Sequence, residues 1–409
     1  MTAAETLVES RYAWARLWAA LALMTIGGSG MYAVTVVLPL VQADFGVSRS
    51  DASLPFAFTM IGFGLGGILM GRLSDRYGVM VPVIIGAFGL SAGFIAAGAA
   101  GSLWQFNLAQ GLLIGLLGTS ATFAPLVADI SLWFTRRRGI AVAICISGNY
   151  LAGTVWPPLM QRFIETAGWR QTYVGIGVFC LVSMLPLALF LRPRPPIPEL
   201  PAAGPATSVA GSEGTLGLSP GTLLMLLSIA GVSCCVAMSM PQVHIVAYCG
   251  DLGFGPARGA EMLSLMLGFG IVSRLTFGWI SDHIGGLRTL LLGASLQAVA
   301  LLLFLPFDGL VSLYVISALF GLFQGGIVPS YALIVREHFK PSEAGARVGT
   351  VLMATLFGMA LGGWMSGAIF DVTGSYRAAF VNGIAWSLVT VSIAAGLIYR
   401  SRRFAPRTA

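Results

Sequence analysis

Charge is what this 409-residue chain most conspicuously lacks: Asp, Glu, Lys and Arg together make up 10% of it, where a soluble domain carries roughly a quarter. So few charges cannot clothe a water-soluble globule, which excludes a soluble enzyme and a nucleic-acid binder. Lysine occurs once, at Lys340, and histidine three times. The five cysteines, Cys145, Cys180, Cys234, Cys235 and Cys249, lie in or beside apolar runs without metal-type spacing. They read as small packing residues, and neither a metal nor a cofactor is expected. A cleavable leader is not expected either, because the first apolar run exceeds a signal-peptide core and no small-residue cleavage pattern follows it.

What fills the chain instead is apolar surface, 56% of all residues. Long apolar segments run at about 13–40, 54–71, 80–99, 106–128, 140–160 and 172–191, and again at about 222–248, 260–280, 289–307, 311–335, 348–370 and 378–399. Each is long enough for a helix to cross a bilayer, which takes about 20 residues. The expected fold is therefore an all-α membrane protein of twelve spans, with lipid as its solvent. Residues 192–220 are rich in Pro, Ala, Gly and Ser and read as a linker between a first bundle, 1–191, and a second, 221–409.

A constant offset of 207 positions superposes Asp44 on Asp251, Gly71 on Gly278, Ser74 on Ser281, Asp75 on Asp282, Gly78 on Gly285 and Arg170 on Arg377. The chain is thus a duplicated six-helix unit, and parallel repeats with a site near the midplane are an architecture of secondary transporters. If the amino terminus is cytoplasmic, seventeen of the 23 basic residues fall on that side and five on the other. This asymmetry places both termini in the cytoplasm, with the chain in the inner cell membrane, and accounts for the net charge of +7 without an acidic partner.

The basic residue left over is Arg274, four residues before Gly278 and about 10 Å inside the cytoplasmic end of its helix at 1.5 Å per residue. Its repeat mate is Gly67, so packing symmetry does not explain it. An intramembrane charge is costly and ordinarily faces a cavity or a partner. The acids fall in tails, loops or helix ends, with Asp129 and Glu261 near the ends of apolar segments. Arg274 is therefore held either by backbone carbonyls or Asp129, or by a substrate carboxylate that its bidentate fork suits. Asn149, Phe123, Tyr32 and Gln324 fall near mid-depth and are candidates to complete a small pocket, with Tyr331 nearer the cytoplasm. His244, beyond Pro241, is the intramembrane histidine and the candidate proton carrier, since its unperturbed pKa lies near neutrality.

The turns G-R-L-S-D-R-Y-G (71–78) and G-W-I-S-D-H-I-G (278–285) together resemble the loop signature of the major facilitator superfamily. That resemblance implies a cytoplasmic gate in which Gly71 and Gly278 permit close helix approach, while Asp75 with Arg76, and Asp282, cap a neighbouring helix and pair with basic residues. Within the superfamily, W-F-T-R-R-R-G (133–139), G-W-R (168–170), H-I-V-A-Y from His244 and S-R-L-T-F-G around Arg274 resemble the monocarboxylate transporters and oxalate/formate exchangers, where the matching Arg binds the substrate carboxylate. Many members carry an acid one turn before that Arg; here the position is Gly270. The expectation is a monomeric, non-enzymatic transporter of a small monocarboxylate by alternating access, in symport with a proton. The alternatives are an organic-anion exchanger and an exporter of amphipathic compounds or drugs.

Overall fold

A computed structural model of the chain describes residues 8–194 and 217–404. The described residues form helices and turns without strands, and twelve segments are long and apolar enough to cross a membrane. In chain order they are α1 (Arg11–Phe45), α2 (Arg49–Tyr77), α3 (Met80–Gly98), α4 (Leu103–Trp133), α5 (Arg138–Ala167) and α6 (Trp169–Phe190). The second set is α7 (Pro220–Asp251), α8 (Pro256–Ile284), α9 (Gly286–Leu303), α10 (Leu310–His338), α11 (Glu343–Thr373) and α12 (Tyr376–Arg403). Most of the expected linker, 195–216, lies outside the described residues.

Several ends are set by local chemistry. Ser10 and Ser48 accept hydrogen bonds from the amides of Ala13 and Asp51 and so cap α1 and α2. Gly78 and Gly285, which close the two repeated turns, have φ of 85° and 80°, a region that favours glycine. The repeat recorded in the sequence is thus a repeat of backbone conformation.

Packing divides the chain into two compact units that do not follow the chain midpoint. Residues His244–Gly268, the end of α7 and the start of α8, pack with the first unit, while 217–243 and Phe269 onward form the second. In the first unit α2 lies against α4 and α3 against α6. Thr59, Gln110 and Tyr173 tie α2, α4 and α6 together, Gln110 Nε2 donating to the Tyr173 hydroxyl at 3.2 Å. At the end where α1 finishes, which we call the Asp44 end, Arg170 donates to Asp44 at 2.9 Å and to the carbonyls of Gly98 and Ala100 at 3.1 and 2.6 Å. It also lies 4.5 Å from the Trp169 ring centroid. The G-W-R stretch is therefore a staple joining three segments of one unit.

The opposite, Arg11 end of the first unit holds a buried ion pair. Arg16 Nε and Nη2 donate to both carboxylate oxygens of Asp129 at 2.7 and 2.8 Å, and the guanidinium stacks 4.6 Å from the Trp133 ring centroid. Arg16, counted from sequence among the loop charges, is fully buried inside α1. The second unit repeats the pairing of the first, with α9 against α12 and α8 against α10 through Ser273 and Gly325. Its core gathers Leu227, Cys234, Leu290, Ile327, Tyr331 and Val351.

Candidate functional site

Two spans of the first unit are interrupted where they meet. The chain of α1 breaks at Gly28, between helical stretches Arg11–Gly27 and Ser29–Phe45. In α4 a wide π-type stretch (Ala109–Gly118) passes into a tight 3-10 turn (Thr119–Thr122) before helix resumes at Ala124. Pro125 helps to impose the second break, because its ring cannot donate to the carbonyl of Ala121. The two breaks sit on one another so closely that a Cβ at Gly27 would lie 2.0 Å from the Thr122 hydroxyl. A break inside a membrane frees backbone carbonyls that must find donors; Trp156 Nε1 supplies one to Thr25 O at 2.8 Å.

Three of the sequence candidates gather here. Asn149 of α5 places Oδ1 3.4 Å from the Cβ position of Gly28 and makes no hydrogen bond among the described residues. One turn further along α5, a Cβ at Gly153 would meet the Tyr32 ring at 2.8 Å and Leu267 at 2.1 Å. Phe123 begins the resumed helix of α4 and packs edge-on against Phe63, ring centroids 5.7 Å apart. His244 is fully buried, in the part of α7 that belongs to this unit.

The second unit has a matching interruption in α10, whose helix runs Leu310–Gln324, turns at Gly325 and Gly326, and resumes at Ile327. Pro329 leaves the Gly325 carbonyl without its helical donor, and Gly325 is the 207-shifted mate of Gly118 at the α4 break. Arg274 lies on α8 alongside this turn, half-buried. Its neighbour Ser273 is fully buried, with its hydroxyl 2.9 Å from the Cβ position of Gly325. Gln324 is fully buried and accepts from Gln242 at 2.9 Å, while its own Nε2 has no partner among the described residues. Tyr331 stands apart from this group: buried in the core, its hydroxyl donates to Cys234 Sγ at 3.3 Å. Ser273 and Gln242 were not picked from sequence, since an isolated Ser or Gln in an apolar run carries no sign of which face it occupies.

Discontinuous spans at matched points of a duplicated twelve-span chain are a transporter architecture. A profile of the Major Facilitator Superfamily matches residues 18–311 and 225–409. The chain belongs to that superfamily. This facilitator is 31% identical over 337 residues to monocarboxylate transporter 13 of Rattus norvegicus, covering 81% of this chain and 75% of that one. It is 30% identical over 332 residues to monocarboxylate transporter 13 of Bos taurus, with the same coverage, and 25% identical over 354 residues to the MFS-type transporter YcxA of Bacillus subtilis, covering 83% and 84%. In fold, the facilitator is similar to a bacterial homologue of the human lysosomal transporter Spinster, solved in an inward-facing, unoccupied conformation. The TM-score is 0.72 at 16% identity, over 96% of this chain and 98% of that one. It is a membrane transporter and not an enzyme.

The acidic residues of the facilitator's two repeated turns lie at the surface. Asp75, Arg76 and Asp282 are exposed, and neither aspartate accepts a hydrogen bond or forms an ion pair among the described residues. Arg76 lies 5.3 Å from the ring centroid of its neighbour Tyr77. A Cβ at Gly71 or Gly278 would meet nothing within 4 Å. At the start of α9 the amide of Gly286 donates to Glu337 Oε1 at 3.2 Å, a cap supplied from α10.

Proposed function

We propose that this protein carries small monocarboxylates across the membrane, with the Arg274 guanidinium as the anchor for the substrate carboxylate. The observation that carries this reading is a half-buried guanidinium inside α8, flanked by Ser273 and the interrupted turn of α10. A planar cation with five N–H donors matches a carboxylate in charge and in fork geometry. Similarity to monocarboxylate transporters supports the same substrate class. A cationic or drug-like substrate would want a buried carboxylate. Asp129 is the one acidic side chain among the described residues less than a tenth exposed, and Arg16 holds both of its oxygens. Asn149 and Tyr32, by their place at the α1 break, are proposed as further substrate contacts.

A proton accompanies the anion in this reading, with His244 as its carrier. The Arg11 end of the first unit faces the cytoplasm, following the bias of basic residues. Asp75, Arg76 and Asp282 are proposed as residues of the cytoplasmic gate.

The test is uptake of radiolabelled lactate, pyruvate, formate and a larger aromatic acid into proteoliposomes under an imposed pH gradient. Wild type should accumulate a small carboxylate, and Arg274→Ala should lose that accumulation. Undiminished uptake by Arg274→Ala overturns the assignment. Uptake that ignores the pH gradient but rises with internal anion replaces symport by exchange, and unchanged pH dependence in His244→Gln removes that residue.

A further inference from the structure

At the Arg11 end of the first unit, Tyr12 acts as a hub. Its ring lies 5.2 Å from the centroids of both Trp133, at the end of α4, and Phe190, at the end of α6. Its hydroxyl donates to the Phe190 carbonyl at 2.7 Å and accepts from Arg16 at 3.0 Å. Glu9 tightens the same corner: its amide donates to Trp133 O at 3.0 Å, and its carboxylate accepts from the amides of Thr135 and Arg137 at 3.2 and 2.9 Å. Three chain segments are thereby held together, and each bears exposed arginine: Arg11 beside Tyr12, Arg136 to Arg138 after Trp133, and Arg192 after Phe190.

Topology needs only that basic residues lie on this side of the membrane, anywhere along its loops. It does not require a tyrosine, a tryptophan and a glutamate to clamp five arginines into one corner. Two carboxylates lie at this corner among the described residues: Arg16 holds both oxygens of Asp129, and Glu9 is engaged with backbone amides, where it takes the place an anion would have at the start of α5. What remains is guanidinium at the ends of four spans, the level of lipid headgroups.

Below the basic corner the same helix faces are apolar and exposed. Arg11, Ala15 and Trp18 are the exposed positions of the first turns of α1 and share one face, with Trp18 about 10 Å further along the helix than Arg11. On α6, Leu189 and Phe190 are exposed next to Arg192. A cationic cluster above an apolar strip is complementary to an amphiphile with an anionic phosphate head.

We infer that this corner is a binding site for an anionic phospholipid, its phosphate held by the Arg11, Arg136–Arg138 and Arg192 side chains and its acyl chains laid along Trp18 and Phe190. Basic pockets between spans hold anionic headgroups by this chemistry, and guanidinium forks suit phosphate oxygens.

The test uses the purified full-length protein in detergent, titrated with dioleoylphosphatidylglycerol, dioleoylphosphatidylcholine or glycerol 3-phosphate, with melting temperature and retained lipid by native mass spectrometry as readouts. Phosphatidylglycerol should raise the melting temperature and stay bound, phosphatidylcholine should do neither, and the rise should shrink as salt goes from about 0.05 to about 0.5 M. Arg136→Gln/Arg137→Gln/Arg138→Gln should lose the shift, while Arg402→Gln/Arg403→Gln, at the end of α12, should keep it. Equal shifts from the two lipids overturn the proposal, as does a shift the triple variant retains or the α12 variant also loses. A full shift from glycerol 3-phosphate alone overturns the lipid in favour of a free anion. Should the triple variant fail to fold, the headgroup and salt responses of the wild type decide the matter.

Discussion

Asp251 accepts the guanidinium of Arg49 at 3.1 Å, whereas its repeat counterpart Asp44 accepts that of Arg170 at 2.9 Å. By the 207-residue symmetry Asp251 would take Arg377, yet it takes an arginine from the other repeat, at the start of α2. The position matching Arg49 in the second repeat is Pro256, so no equivalent bond exists there. The exchange of partners ties the end of α7 to the first unit, where the hydrogen bond from the Ser264 hydroxyl to Thr154 O does the same for α8.

Asp251→Asn should loosen this attachment. Arg49 is nearly buried and Asp251 about a third exposed, so the coupling is screened to about 1 kcal/mol. A double-mutant cycle of thermal stabilities with Arg49→Gln should return that coupling, and the swap Arg49→Asp/Asp251→Arg should recover part of the loss. Strict additivity of the two single variants would show that the pair contributes nothing.

Arg274→Lys separates charge from geometry at the proposed anchor. Lysine keeps the positive charge without the fork, so substrate affinity should fall while transport stays measurable, in contrast to the loss in Arg274→Ala. The comparison is the KM and the maximal rate for the best carboxylate in proteoliposomes.

Asp129→Asn should be among the most damaging conservative changes, at about 3–5 kcal/mol, because it leaves the buried Arg16 cation without its counter-charge. Arg16→Met/Asp129→Leu removes both charges and should recover most of the stability. Thermal unfolding in one detergent checks both variants, and transport by the double variant checks that the pair supports the scaffold and not the substrate.

Glu9 gives the amino-terminal segment a defined acid response. The Arg137 amide foremost, with those of Arg136 and Thr135, holds its carboxyl below the usual glutamate range against the opposing effect of desolvation. Its contribution to stability is therefore present above that range and fades as pH falls through the lowered value. Melting temperatures of wild type and Glu9→Gln should differ at neutral pH and converge in acid; a constant difference would remove Glu9 from the clasp.

The span count and the duplication were legible because they are written in run length and in a fixed offset, both properties of the chain itself. Arg274 was legible because charge in an apolar run is rare. Partnership was not. Arg16 lies three residues inside the first apolar run, which was the available sign that it is not a loop charge, but only the approach of α4 shows that it holds Asp129. Arg170 was visible as a motif, and its work as a staple depends on carbonyls at Gly98 and Ala100 that no side-chain pattern advertises. The Glu337 cap on α9 was hidden for the same reason: which carboxylate reaches a helix start is set by tertiary approach, not by sequence distance.

The interruptions at Pro125 and Pro329 have a consequence for what the rest of the protein can repair. A proline ring has no N–H, so no rearrangement of neighbouring helices can restore the bonds to the carbonyls of Ala121 and Gly325. Each repeat therefore keeps one missing rung at a matched point of its ladder, whatever conformation the transporter takes.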